Sequence, residues 1–84
     1  MKKQTIEFIA KMKNFEIIRK PEETEEETLK RYHKTKLNMC YEYLKLLVNM
    51  NNGSDNLKED YTEIKKLTNE FEQDFLRWKD AKTH

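Results

Sequence analysis

Asn51-Asn52-Gly53-Ser54 contains the chain's one glycine, and the patterns on either side of it decide the fold. Upstream, Leu29, His33, Lys36, Cys40, Tyr43, Leu47 and Met50 recur at spacings of four and three. Downstream, Leu57, Tyr61, Ile64, Thr68, Phe71, Phe75 and Trp78 do the same, with Leu67 beside them. Those spacings line up one face of an α-helix. No charged residue interrupts the downstream stripe, so it reads as a coiled-coil-like seam that must meet another helix. Two helices joined by so short a connection become antiparallel neighbours. Gly53 suits a left-handed C-cap. Ser54, Asp55 and Asn56 are good N-caps, with Asn56 and Glu59 spaced as a capping box.

The predicted hairpin comprises helices over about 22–51 and 55–82, each roughly 40 Å long at ~1.5 Å per residue. Thr24 and Glu27 match a capping box, and Pro21 suits a first turn. The run Glu22, Glu23, Glu25, Glu26, Glu27 then sits at the positive end of the helix dipole, with Glu26–Lys30 and Glu27–Arg31 as i,i+4 pairs. A shorter helix is expected over about 3–19. There Phe8, Met12 and Phe15 form a stripe flanked by Ile9 and Ile18, with Ile6 and Ile17 on the far side. Pro21 disfavours helix at Lys20 and ends it. Residues 37–50 add Leu37, Met39, Leu44, Leu46 and Val48 on both flanks of their stripe, so this part needs cover on more than one side.

The fold class that follows is all-α: a small antiparallel helical bundle, one domain over 1–84. With 39% charged and 36% hydrophobic residues, patterning rather than composition must build the core. The net charge of +1 conceals blocks: +4 over 1–20, −5 over 22–27 and +4 over 30–36. A uniformly basic nucleic-acid binder does not look like that. One cysteine excludes an intramolecular disulfide and favours a reducing, cytoplasmic home. The start lacks the apolar run of a signal peptide, and Leu46-Leu47-Val48 is far short of the ~20 residues of a membrane span.

Chemistry has little to stand on. His33 and Cys40 are two helical turns apart, about 10 Å, too far to share one zinc ion. No Glu-x-x-His motif, glycine-rich phosphate loop or Ser/His/Asp arrangement is present. We therefore expect no cofactor, no metal and no enzymatic activity. The functional signal is surplus apolar surface: Tyr32, Met39, Tyr41, Met50 and Trp78 cannot all be covered by a first helix of about 17 residues, and Tyr, Trp and Met are enriched in protein–protein contacts.

The leading expectation is a small protein-binding module, a stoichiometric inhibitor or regulator of mobile-element, phage or immunity type, docking onto a larger protein. Its Lys-, Glu-, Asn- and Ile-rich usage suits a gene of that kind from an AT-rich bacterium. The alternative is a nucleic-acid-binding regulator using Lys30, Arg31, Lys34 and Lys36 with the first helix, its cations interleaved with Tyr32. A third is a structural homodimer with its seam on 37–50, which Leu46→Asp would dissociate.

Overall fold

The computed structural model describes residues 1–50 and 57–82. Within them lie three helices, α1 (Lys3–Lys13), α2 (Glu25–Met50) and α3 (Lys58–Lys82), and no strand. The turn expected at 51–54, with Gly53 and the candidate caps Ser54, Asp55 and Asn56, lies outside the described residues. α2 and α3 form the hairpin and run antiparallel: Glu26 pairs with Lys82, Tyr41 bonds Glu72, and Leu47 packs with Leu57.

The core is built from the two stripes. Leu37 and Cys40 of α2 meet Leu67 and Phe71 of α3 in one cluster, completed by Met12 of α1. Toward the C-terminal end of α2, Tyr43, Leu44 and Leu47 meet Leu57 and Ile64. α1 lies along this hairpin antiparallel to α2, with Phe8 stacked on Tyr43 at 4.2 Å and Phe15 on Tyr32 at 5.7 Å. At 11 residues α1 is about 16 Å long, against about 39 Å for the 26 residues of α2, so it covers less than half of the hairpin. Isolated helices this short are marginal in water, so α1 is helical because it is docked.

The helix starts and stops refine the sequence reading. Thr24 caps α2 as expected: its hydroxyl accepts from the Glu27 amide at 3.1 Å, and Glu27 Oε1 accepts from the Thr24 amide at 3.0 Å. α1, however, stops at Lys13 rather than Arg19. Asn14 bonds the Ala10 carbonyl with both its backbone amide (3.2 Å) and its side-chain Nδ2 (2.9 Å), satisfying an open carbonyl at the helix end. Residues 15–20 then cross to α2 without helical structure, which leaves Ile18 88% exposed instead of on a helix flank.

Arg31 anchors that crossing segment. Its Nη2 donates to the Ile18 carbonyl, and Nε and Nη2 both donate to the Glu23 carboxylate, every bond at 2.7 Å. Glu23 lies before the helix, not in its first turn, and closes a turn by accepting from the Lys20 amide at 3.1 Å. The Arg31 fork is the largest influence holding the Glu23 carboxyl down at about 2. Arg31 is therefore paired with Glu23 in place of the expected Glu27, and Glu26 with Lys82 in place of Lys30.

Candidate docking surfaces

One polar cluster fixes α1 and hence the surfaces around it. Asp60 of α3 is buried, and its Oδ2 accepts from the Lys2 amide at 3.1 Å and the Thr5 hydroxyl at 2.6 Å. A carboxylate only accepts, so the Thr5 proton is committed and Tyr43 must donate its O–H to Thr5 Oγ1, 2.8 Å away. Lys2, at the N-cap, makes no side-chain cap of its own. Asp60 takes that place from another helix and puts negative charge at the positive end of the α1 dipole. The sequence reading missed this cluster because it put Tyr61 on the seam. Leu57, Asp60, Ile64, Leu67 and Phe71 are the buried register, spaced three and four, while Tyr61 is 40% exposed. The available signal was an acidic residue standing in a core register.

With α1 placed, two apolar surfaces remain on opposite sides of α2. The first is a furrow between α2 and α3 lined by Tyr41, Leu44, Lys45, Val48, Asn49 and Tyr61. Val48 is 60% exposed there and Tyr41 is 40% exposed. The Tyr41 hydroxyl donates to Glu72 Oε1 at 2.5 Å, a bond from α2 to α3 that restrains the ring and pushes the phenol above its usual range. The second is a groove between α1 and α2, lined by Phe8, Thr35, Asn38, Met39, Glu42, Tyr43 and Leu46. Its outer edge is Leu46, 42% exposed.

The five expected contact residues are dispersed by the fold. Tyr41 stands in the furrow and Met39 in the groove. Met50 packs against the core cluster of Tyr43, Leu44, Leu47, Leu57 and Ile64. Tyr32 is half-buried, between the Phe15 ring and the Lys36 ammonium. Trp78 is half-buried at the open end of the hairpin, beside His33 and Phe75 with Lys82 over its ring. Val48, Tyr61, Leu46 and Phe8 join the surfaces instead.

The basic segment is likewise divided. Lys30 and Lys34 are exposed, and Lys30 lines a shallow site with Glu26, Phe75, Trp78, Lys79 and Lys82. Arg31 is spent on Glu23 and Ile18. Lys36 is buried, its Nζ 4.3 Å from the Tyr32 ring centre, 4.0 Å from that of Phe71 and 3.1 Å from the Tyr32 hydroxyl. A cation in that position serves packing, its stem among rings and its charge against their faces.

Neither of the reactive side chains singled out in the sequence is set up for chemistry. Cys40 is fully buried, and burial raises its thiol above the ordinary value. His33 lies buried among Tyr32, Phe75 and Trp78, and its Nδ1 has no hydrogen-bond partner. Burial first, then the Lys36 ammonium, lower its pKa below 6.5, while Asp74 opposes them. Among the described residues, no group of three His, Cys, Asp or Glu side chains converges on a point that would hold a metal ion. No described helix is long and apolar enough to cross a membrane. No family model, curated protein or solved structure matches the chain.

Proposed function

We propose that this chain is a small non-enzymatic protein-binding module that docks onto a larger protein through the furrow between α2 and α3. The observation that carries the reading is the grouping of Val48, Tyr41 and Tyr61, each at least 40% exposed, in one furrow. Two tyrosines offer large rings with few rotatable bonds, and Val48 between them adds apolar area that gains on leaving water. The Tyr41–Glu72 bond pre-organises one ring, which lowers the ordering cost of binding. The buried thiol and the unpartnered, buried imidazole support the non-enzymatic part of the reading. The finer role, a stoichiometric inhibitor or regulator of mobile-element, phage or immunity type, rests on the Lys-, Glu-, Asn- and Ile-rich composition.

The test is affinity capture on the tagged full chain from lysate of the source organism, with and without nuclease, comparing wild type with Val48→Asp. Val48 is exposed, so the substitution should leave the helical circular dichroism intact. One protein recovered stoichiometrically by wild type and lost with Val48→Asp supports docking through the furrow. Recovery that vanishes with nuclease, or is indifferent to Val48→Asp, contradicts it.

A further inference from the structure

We infer that the furrow takes an amphipathic α-helix of the partner protein, with apolar residues spaced three and four along one face and a carboxylate on the flank beside Lys45. The inference rests on docking through the furrow and names the chemistry of what docks there.

Backbone chemistry decides between a helix and an extended segment. Both walls of the furrow are helices, whose N–H and C=O groups are bonded within the helix, so there is no row of free donors and acceptors for a strand to join. An extended segment buried there would lose its backbone hydrogen bonds to water and gain none in return. A helix arrives with its own already made. The α2 wall has the matching period. Tyr41, Leu44, Lys45, Val48 and Asn49 follow one another at three, four, seven and eight residues from the first, one face about two turns, or ~10 Å, long. Side chains along one face of a partner helix recur every ~5.4 Å, turn for turn with that wall.

The chain itself supplies the precedent. Tyr43 lies under α1 and Tyr41 in the furrow, and residues two apart are about 200° apart around a helix, so α1 and the furrow occupy opposite faces of the hairpin. On its face α1 meets both long helices through Thr5, Phe8, Ile9 and Met12, spaced i, i+3, i+4 and i+7. Thr5 bonds Tyr43 of α2 and Asp60 of α3, and the other three pack onto clusters drawn from both helices. The same spacing is how an amphipathic helix anchors in a groove. Charge then sets the flank. Lys45 is the one charged residue among the six that line the furrow. Within the chain it reaches Glu42 at 3.9 Å, with both side chains 75% exposed, a pair too long and too wet to hold it. A carboxylate beside the apolar stripe of the incoming helix meets that ammonium, as flanking charges do along a coiled-coil seam.

The probes are overlapping synthetic peptides of about 20 residues that together cover the captured protein, titrated against the full chain and followed by circular dichroism. One of them should bind and gain helix beyond the sum of the separate spectra, since a free helix of that length is marginal in water. Val48→Asp should weaken it at least tenfold. Lys45→Glu should weaken it about threefold to tenfold, as one rim pair turns from attraction to repulsion. Exchanging the flanking acid of the peptide for lysine should restore binding to Lys45→Glu to within about threefold of the original pair. A captured protein that is lost with Val48→Asp, yet yields no peptide that gains helix on binding, overturns the helix and leaves docking through the furrow standing. A helical peptide indifferent to Lys45→Glu overturns the acidic flank. A captured protein indifferent to Val48→Asp overturns the furrow reading and this inference together.

Discussion

Two buried polar residues, Asp60 and His33, illustrate opposite ways of closing a hydrogen-bond account. Asp60 is satisfied by the Thr5 hydroxyl of α1 and the Lys2 amide at its N-cap, and so ties a helix of 11 residues to α3. Asp60→Ala would strip the Lys2 amide and the Thr5 hydroxyl of their acceptor in a buried site. We expect a loss of about 2–3 kcal/mol, read as a lower urea midpoint at unchanged slope, since bonds to a charged group are worth ~1.5–3 kcal/mol. An unchanged midpoint would show that α1 is held by Met12 and its rings alone. His33 lacks a partner at Nδ1 and is kept neutral by burial. Because its folded pKa is lowered, the unfolded chain binds the proton more readily, and stability must fall as pH drops below about 6.5. Thermal melts from pH 7.5 to 5 should show that decline, and His33→Phe should flatten it. A wild-type profile already flat over that window would mean that the ring cluster tolerates imidazolium, for instance through Asp74.

Among the elements, the hairpin was legible in the sequence because most of its stripe residues obey one spacing rule, with Leu29 and Tyr61 the exposed exceptions. His33, Lys36, Cys40, Tyr43 and Leu47 are all buried, as their spacing requires. The apolar pattern was too weak to bound α1. Phe15 and its flanking Ile18 continue the helical stripe in sequence, yet the chain leaves the helix at Asn14, where a side-chain amide bonds the Ala10 carbonyl. Nor could spacing reveal the Arg31 anchor, which joins residues 13 apart through a backbone carbonyl. The exposed furrow was only half legible. Tyr41 was marked as surplus, but Tyr61 was counted as seam until Asp60 took the inward register.

The Glu23–Arg31 anchor carries its own prediction. Its folded pKa of about 2 lies below the ordinary 4.5, so its stabilising contribution is present above pH 4.5 and lost as pH falls toward 2. Glu23→Gln should remove that acid-side dependence and speed proteolysis within residues 15–24 at neutral pH. Cleavage at the wild-type rate would show that the segment is held by other contacts.

For the molecule as a whole, the argument is one of coverage. A hairpin about 39 Å long is paired with a docked helix of about 16 Å, and what α1 leaves bare is apolar on both sides of α2. The chain invests its polar chemistry in holding this shape: Asp60 on α1, Arg31 on the crossing segment, Lys36 among rings. The bare furrow is the face on which the proposed docking rests. If the furrow binds by burying Val48 and its tyrosines, association should show a negative heat-capacity change and little salt dependence. A phosphate-binding surface would instead lose about 10³–10⁵ in affinity between 50 and 200 mM salt if it made six to ten phosphate contacts.

The most direct measurement is therefore calorimetric titration of the captured protein with the wild-type chain and with Val48→Asp, at 50 and 200 mM salt and at two temperatures. The docking account predicts a negative heat-capacity change, less than about a threefold effect of salt, and at least tenfold weaker binding by Val48→Asp. Affinity indifferent to Val48→Asp and falling steeply with salt would contradict it and transfer the function to the exposed lysines.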